Sequence, residues 1–101
     1  MNRQLALKRK FIGGLMGCGI GDAVGELAFS HGHVAALKKA VEKRRTLRYT
    51  DDTAMALGLT ESLVKNGKID PQHLGETFRV HYEREPWRGY GMGPPSIFRR
   101  V

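Results

Sequence analysis

The sequence has a single cysteine, Cys18, so it can form no internal disulfide, and no cysteine pair stands at zinc-ligand spacing. That usage fits a reducing cytoplasm, and cytoplasmic is the expected location. Strand-period alternation is absent throughout, as is any internal repeat, which excludes a sheet protein and a solenoid. Acid is scarce: 10 Asp and Glu stand against 17 Lys and Arg, a net charge of +7. Such an excess attracts nucleic acid, an anionic membrane or a phosphate-bearing ligand, or it is balanced by acid elsewhere in a longer protein. Charge alone selects none of these. Long hydrophobic runs are missing too. Lys8-Arg9-Lys10 before the apolar stretch from Phe11 to Ile20 imitates a signal peptide, but glycines break the stretch, Asp22 follows, and no small-x-small cleavage site is present. The expectation is no membrane span.

What remains is an ordinary globular balance, 41% hydrophobic and 27% charged, in 101 residues that can bury one core. The patterns are helical. Residues 2–28 read as one mostly buried helix, with Gly13, Gly17, Gly21 and Gly25 forming a smooth stripe for a close helix neighbour. Each such glycine costs roughly 1 kcal/mol against alanine, a cost that close approach has to offset. Cys18 in this stretch reads as a small buried packing residue. Residues 33–45 form a second, basic helix with Leu37, Ala40 and Val41 on its apolar face. Its lysines and arginines read as a solvated face, since no aromatic residues interleave for base stacking. A third helix spans about 51–66, with Met55, Leu59 and Leu63 in one row and Gly67 as its C-terminal cap. Asp70-Pro71 opens a fourth, which turns Leu74, Phe78, His81 and Tyr82 inward and ends before Pro86. Pro94-Pro95 opens a fifth over residues 96–101. Trp87 reads as core, with a contribution to a ligand cleft as the alternative.

Chemistry concentrates at Thr50-Asp51-Asp52. A hydroxyl and two carboxylates at a helix start suit a hard cation such as Mg²⁺ or Mn²⁺, because successive helical side chains fan about 100° apart around a shared space. The competing reading is a cap: Thr50 or Asp51 as N-cap, with acid in the first turn favoured by the helix dipole. His31-Gly32-His33 lacks a third ligand and reads as solvated, while His73 and His81 have no evident nucleophile partner.

Three ordered stretches carry a resemblance. Residues 49–64, Tyr-Thr-Asp-Asp-Thr-Ala-Met-Ala-Leu-Gly-Leu-Thr-Glu-Ser-Leu-Val, resemble the ADP-ribosylglycohydrolase family. Residues 13–25, rich in glycine and ending in Gly21-Asp22-Ala23-Val24-Gly25, resemble its first helix, and Arg88-Gly89-Tyr90-Gly91-Met92-Gly93 resembles its glycine loop. The resemblance implies an all-α fold, an orthogonal helical bundle, with residues 1–101 as the amino-terminal part of a longer domain. It implies hydrolysis of the glycosidic bond joining ADP-ribose to a protein side chain or a small acceptor. The partner is then an ADP-ribosylated protein or small molecule, with two Mg²⁺ or Mn²⁺ ions in the complete domain.

By the same resemblance Thr50, Asp51 and Asp52 are the first metal cluster, and Gly89, Tyr90, Gly91 and Gly93 line the ligand cleft with Tyr90 available for stacking. Asp22 is a supporting residue near the site. The family places its acid–base glutamate four residues after the glycine matched by Gly25, where this chain has Phe29. Glu26 is the nearby carboxylate and the candidate replacement if the loop takes another path. An exposed surface glutamate is the competing reading. The second acidic cluster, Asp-x-Asp-Thr/Ser, is not found in residues 53–101, which hold only Glu61, Asp70, Glu76, Glu83 and Glu85 as acids. Three functions therefore compete: the first part of a hydrolase, an inactive remnant or ADP-ribose-binding fragment, and, on charge alone, a nucleic-acid-binding module.

Overall fold

The computed structural model describes residues 2–100, and within them every regular element is a helix. The order is α1 (Arg3–Ala28), α2 (Val34–Lys43), α3 (Asp51–Asn66), α4 (Pro71–Arg84) and α5 (Gly93–Phe98). The fold is all-α. The chain divides into two compact units, Met1–Tyr49 and Thr50–Val101.

In the first unit the Asn2 side chain caps α1 by accepting from the Leu5 N–H at 2.7 Å. At the other end His31 donates from Nδ1 to the Leu27 carbonyl at 2.8 Å, satisfying one of the orphan acceptors there. His33 does the opposite job: its Nδ1 accepts from the Ala36 N–H at 3.3 Å and caps α2. One histidine therefore carries its proton on Nδ1 and the other does not, and both serve helix ends. Helix α2 packs on α1. Burial on α1 is confined to Ala23 and Leu27, so the expectation of a mostly buried first helix fails. Leu5, Leu7, Phe11, Ile12, Met16 and Ile20 all remain exposed, as does Cys18, which was expected to be buried. At Gly13, Gly17, Gly21 and Gly25 an added Cβ would meet nothing within 4 Å, so the glycine stripe has no helix against it among the described residues. By length and composition α1 reaches what a membrane span requires, a test that helices of soluble proteins also pass.

The second unit is built on α3 against α4. Gly67 at φ 71° ends α3, its N–H bonding the Leu63 carbonyl at 2.8 Å, and Asp70 caps α4 through the His73 N–H at 3.1 Å. The buried row of α3 is Ala54, Gly58 and Ser62, not Met55, Leu59 and Leu63. Small side chains let the two helices approach closely, and Phe78 of α4 fills the space. The larger residues lie to the side, with Leu59 exposed.

Phe98, 4% exposed, closes this unit through ring contacts with Phe78 at 6.1 Å, Tyr82 at 5.8 Å and Tyr90 at 5.9 Å between centroids. Helix α5 begins at Gly93 rather than residue 96, since Pro94 and Pro95 suit a first turn that needs no donors. It also ends at Phe98, short of the expected 101, with residues 99 and 100 in a turn; Val101 lies outside the described residues.

A Cβ on Gly58 would stand 2.9 Å from Phe78 Cδ1 and 3.1 Å from Cε1. Gly58→Ala is therefore expected to destabilise the α3–α4 pair by about 1–3 kcal/mol despite alanine's better helix propensity. Gly17→Ala, with open space around it, should leave stability unchanged or raise it by up to ~1 kcal/mol. Urea unfolding followed by far-UV circular dichroism separates the two, and equal midpoints for both variants would refute the close contact.

Candidate functional site

The amino-terminal turn of α3 carries the acidic cluster. Thr50 stands at the N-cap position, but its side chain makes no capping bond to the helix, so capping does not explain the hydroxyl. Asp51 is half-buried and Asp52 exposed, both in the first turn, where the helix dipole favours their charge. Thr53 and Ala54 behind them are buried, which anchors the turn in the core.

The glycine loop comes to the same place. After α4 ends at Arg84 the chain turns through Gly89, whose φ of 86° is a left-handed conformation suited to glycine. A Cβ there would lie 3.9 Å from Thr50 Cβ. The structure thus brings Gly89 beside Thr50, joining two stretches that lie 39 positions apart. Gly91 and Gly93 are exposed along the same loop. Tyr90 packs its ring edge-on against Tyr82 at 5.1 Å and against Phe98, so it serves the aromatic core that holds the loop.

Sequence reasoning missed how the residues just before this turn pair with one another. Trp87 is not core: it is 53% exposed. The Arg88 guanidinium lies 4.2 Å from its ring centroid and also donates to Glu85, from Nη2 at 3.1 Å and from Nε at 3.3 Å. The Arg88 side chain is only 11% exposed, so the stack is held from both sides. The available signal was the Glu85-x-Trp87-Arg88 spacing, an acid three residues before an arginine at the end of a helix.

The remaining acids of this unit are engaged. Asp70 caps α4, Glu85 holds Arg88, and Glu61 accepts from His81 Nε2 at 2.7 Å. Glu76 and Glu83 both pair with Arg79, the latter at 2.6 Å. No group of three or more His, Cys, Asp or Glu is placed to hold a metal ion among the described residues. His73 does have a hydroxyl partner, contrary to expectation: Nδ1 lies 2.8 Å from Ser62 Oγ. That serine is 2% exposed and Asp70 bonds the His73 backbone rather than its ring, so the three form an interhelical tie and not a nucleophilic triad.

Glu26 and Asp22 lie in the first unit. Asp22 is half-buried on α1, and Glu26 is exposed on its last turn, within the helix, so the chain takes no alternative path there. Phe29, at the C-cap, is 88% exposed.

The Arg79 hydrogen bond holds the Glu76 carboxyl below its ordinary value, with desolvation opposing it and the Arg79 charge assisting. A lowered folded-state pKa means the contribution is present above the unfolded value and is lost as pH falls through the folded one. Carbon-detected NMR titration is expected to place the Glu76 midpoint below that of a free glutamate, and Arg79→Ala should return it to the ordinary range. An unshifted midpoint in the unmodified chain would contradict the pairing.

Comparison with known proteins adds the family. The model of the ADP-ribosylglycohydrolase family matches residues 3–101. The ADP-ribosylhydrolase ARH3 of Xenopus tropicalis is 34% identical over 101 aligned residues, covering 91% of this chain and 29% of that relative. The ARH3 of Homo sapiens is 33% identical over 106, with the same coverages, and that of Danio rerio is 30% identical over 101, covering 91% and 27%. The chain therefore spans less than a third of the length of these relatives. A model match over nearly every residue establishes that the chain belongs to the ADP-ribosylglycohydrolase family.

Proposed function

We propose that this chain supplies the first half of an ADP-ribosyl hydrolase centre, acting on the glycosidic bond between ADP-ribose and a protein side chain or small acceptor in a reducing cytoplasm. The observation that carries the reading is the approach of Gly89 to Thr50, which sets the glycine loop beside the acidic turn within one unit. Thr50, Asp51 and Asp52 form an all-oxygen donor set, the type Mg²⁺ or Mn²⁺ prefers over softer metals. They fit as part of a coordination sphere and are the residues that would hold the cation. A divalent cation bound there supplies Lewis-acid polarisation of the sugar oxygens.

The chain's own residues bind and orient. Backbone N–H groups of Gly89, Gly91 and Gly93 are suited to a diphosphate, since glycine admits close approach, and Tyr90 steadies the loop from beneath. Asp51 and Asp52 fix the ribose hydroxyls by charge and hydrogen bonding. Phe29, at the position where the resemblance implies the acid–base glutamate, can neither take nor give a proton, and Glu26, exposed on α1, is not a replacement for it.

A second reading, an ADP-ribose-binding chain without turnover, is favoured by one observation. Every acid after Asp52 is engaged in a cap or an ion pair, so none is gathered into a second cluster. The two readings share the same ligand and part at catalysis.

Three measurements test the proposal. Mn²⁺ added to the chain is expected to broaden the NMR signals of residues 50–53 and 89 first, and Asp51→Asn or Asp52→Asn should weaken that binding on the order of tenfold or more. Broadening unchanged in both variants would remove the metal assignment. Residues 1–101 alone are expected to release no ADP-ribose from modified arginine or serine peptides in Mg²⁺ or Mn²⁺; turnover abolished by Asp51→Asn would show a self-sufficient centre instead. Glu26→Gln, placed in a family domain of full length, should leave turnover within a few-fold, and a loss on the order of 10²-fold would instead make Glu26 the acid–base group.

A further inference from the structure

The net charge of +7 is not spread over the chain. Residues 1–49 hold 10 Lys and Arg against 3 Asp and Glu, whereas residues 50–101 hold 7 of each, so the whole excess lies in the first unit. The two units also treat their cations differently. In the second, Arg79 pairs with Glu76 and Glu83, and Arg88 with Glu85. In the first, Lys38, Lys39, Lys43, Arg44 and Arg45 are all exposed, along α2 and just beyond its end. None of these five forms an ion pair among the described residues, although Glu42 stands one turn after Lys38.

Helix geometry gathers part of this charge on one side. Leu37 and Val41 line a groove with Val24 of α1. Lys39 and Lys43 follow them by two residues, about 200° round the helix, and so stand on the far side, about 6 Å apart along the axis. Arg44 and Arg45 continue the run past the helix end. From this we infer that the outer face of α2, with Arg44 and Arg45, is a docking surface for the phosphate backbone of a nucleic-acid duplex.

The chemistry selects among polyanions. A duplex carries one phosphate charge about every 3.4 Å along each strand, so long flexible cations in a row find partners without a shaped pocket. Phosphate contacts need no base stacking, and a face without aromatic side chains therefore suits a duplex rather than a single strand. A bilayer surface is matched by basic residues beside exposed apolar ones, and on α2 the apolar row is turned to the opposite side. An acidic protein segment is held through an apolar or aromatic centre with charge at its rim, and the face of Lys39 and Lys43 offers no such centre.

The test is fluorescence anisotropy of a labelled DNA duplex titrated with the 101-residue chain at several salt concentrations. Binding is expected in the micromolar range at low salt and nearly independent of sequence. The logarithm of the association constant should fall against log salt with a slope of about −4 to −5, roughly 0.9 for each of five neutralised phosphates. Lys39→Gln combined with Lys43→Gln should reduce that slope by about 2 and weaken binding about tenfold. The control, Lys65→Gln with Lys68→Gln, removes the same charge from exposed positions of the second unit and should change binding little. Circular dichroism checks that both double variants keep their helices. Equal losses from the two pairs would overturn the assignment to α2, because net charge alone would then set the affinity. Phosphatidylserine vesicles or polyglutamate bound more tightly than the duplex, or no anisotropy change at low salt, would overturn the inference.

Discussion

The second unit depends on one contact, the approach of α3 to α4 where Gly58 meets Phe78. The row Ala54, Gly58 and Ser62 gives α3 a flat face, and only a flat face lets a phenylalanine ring sit against the helix backbone. Ties on either side of the contact fix the register. Ser62 meets His73 near the start of α4, and Glu61 meets His81 near its end. Two helices locked in this order return the end of α4 to the start of α3. That is why Gly89 arrives beside Thr50, and why residues far apart in the chain form one rim. The aromatic group of Phe78, Tyr82, Tyr90 and Phe98 then fastens the loop to the same pair.

Much of this architecture was legible in the sequence because it is local. Asp70-Pro71 starts a helix by capping chemistry and a preset φ, and Gly67 ends one by adopting a left-handed conformation; both act within a turn of themselves. The acidic turn and the glycine loop were legible as motifs. Their contact was not, since it depends on how two helices pack. The same limit explains the misplaced core. Met55, Leu59 and Leu63 have the larger apolar side chains, but burial follows what the neighbouring helix can accept, and α4 brings an aromatic ring that needs small residues opposite it. Trp87 was misread for a related reason: tryptophan is usually buried, yet here a stacked arginine covers part of it and the loop holds it outward.

Charge pairing shapes what the second unit can do. Arg79 occupies Glu76 and Glu83, Arg88 occupies Glu85, and His81 occupies Glu61, so acids in the helices serve the helices. Pairs of this kind contribute little to stability at the surface, on the order of 0–1 kcal/mol each. Their consequence is positional. They leave Asp51 and Asp52 as the acids of this unit that stand together at a helix start beside a glycine loop.

The two units differ in how well they bury what they carry. In the second, Phe98 and the small row of α3 are enclosed, and the aromatic contacts are mutual. In the first, a 26-residue helix buries only Ala23 and Leu27, while large apolar side chains from Leu5 to Ile20 face outward. Helices gain most of their stability from packing an apolar face rather than from propensity, and α1 carries six glycines that lower its propensity further. Its stability therefore rests on the α2 contact and on whatever else covers that face. The net charge of +7 works against self-association through the same surface, since like-charged chains repel at low ionic strength. Added salt weakens that repulsion and leaves the apolar attraction intact. Association through α1 should consequently strengthen with salt, the opposite of the dependence that phosphate-backbone binding by the basic residues would give.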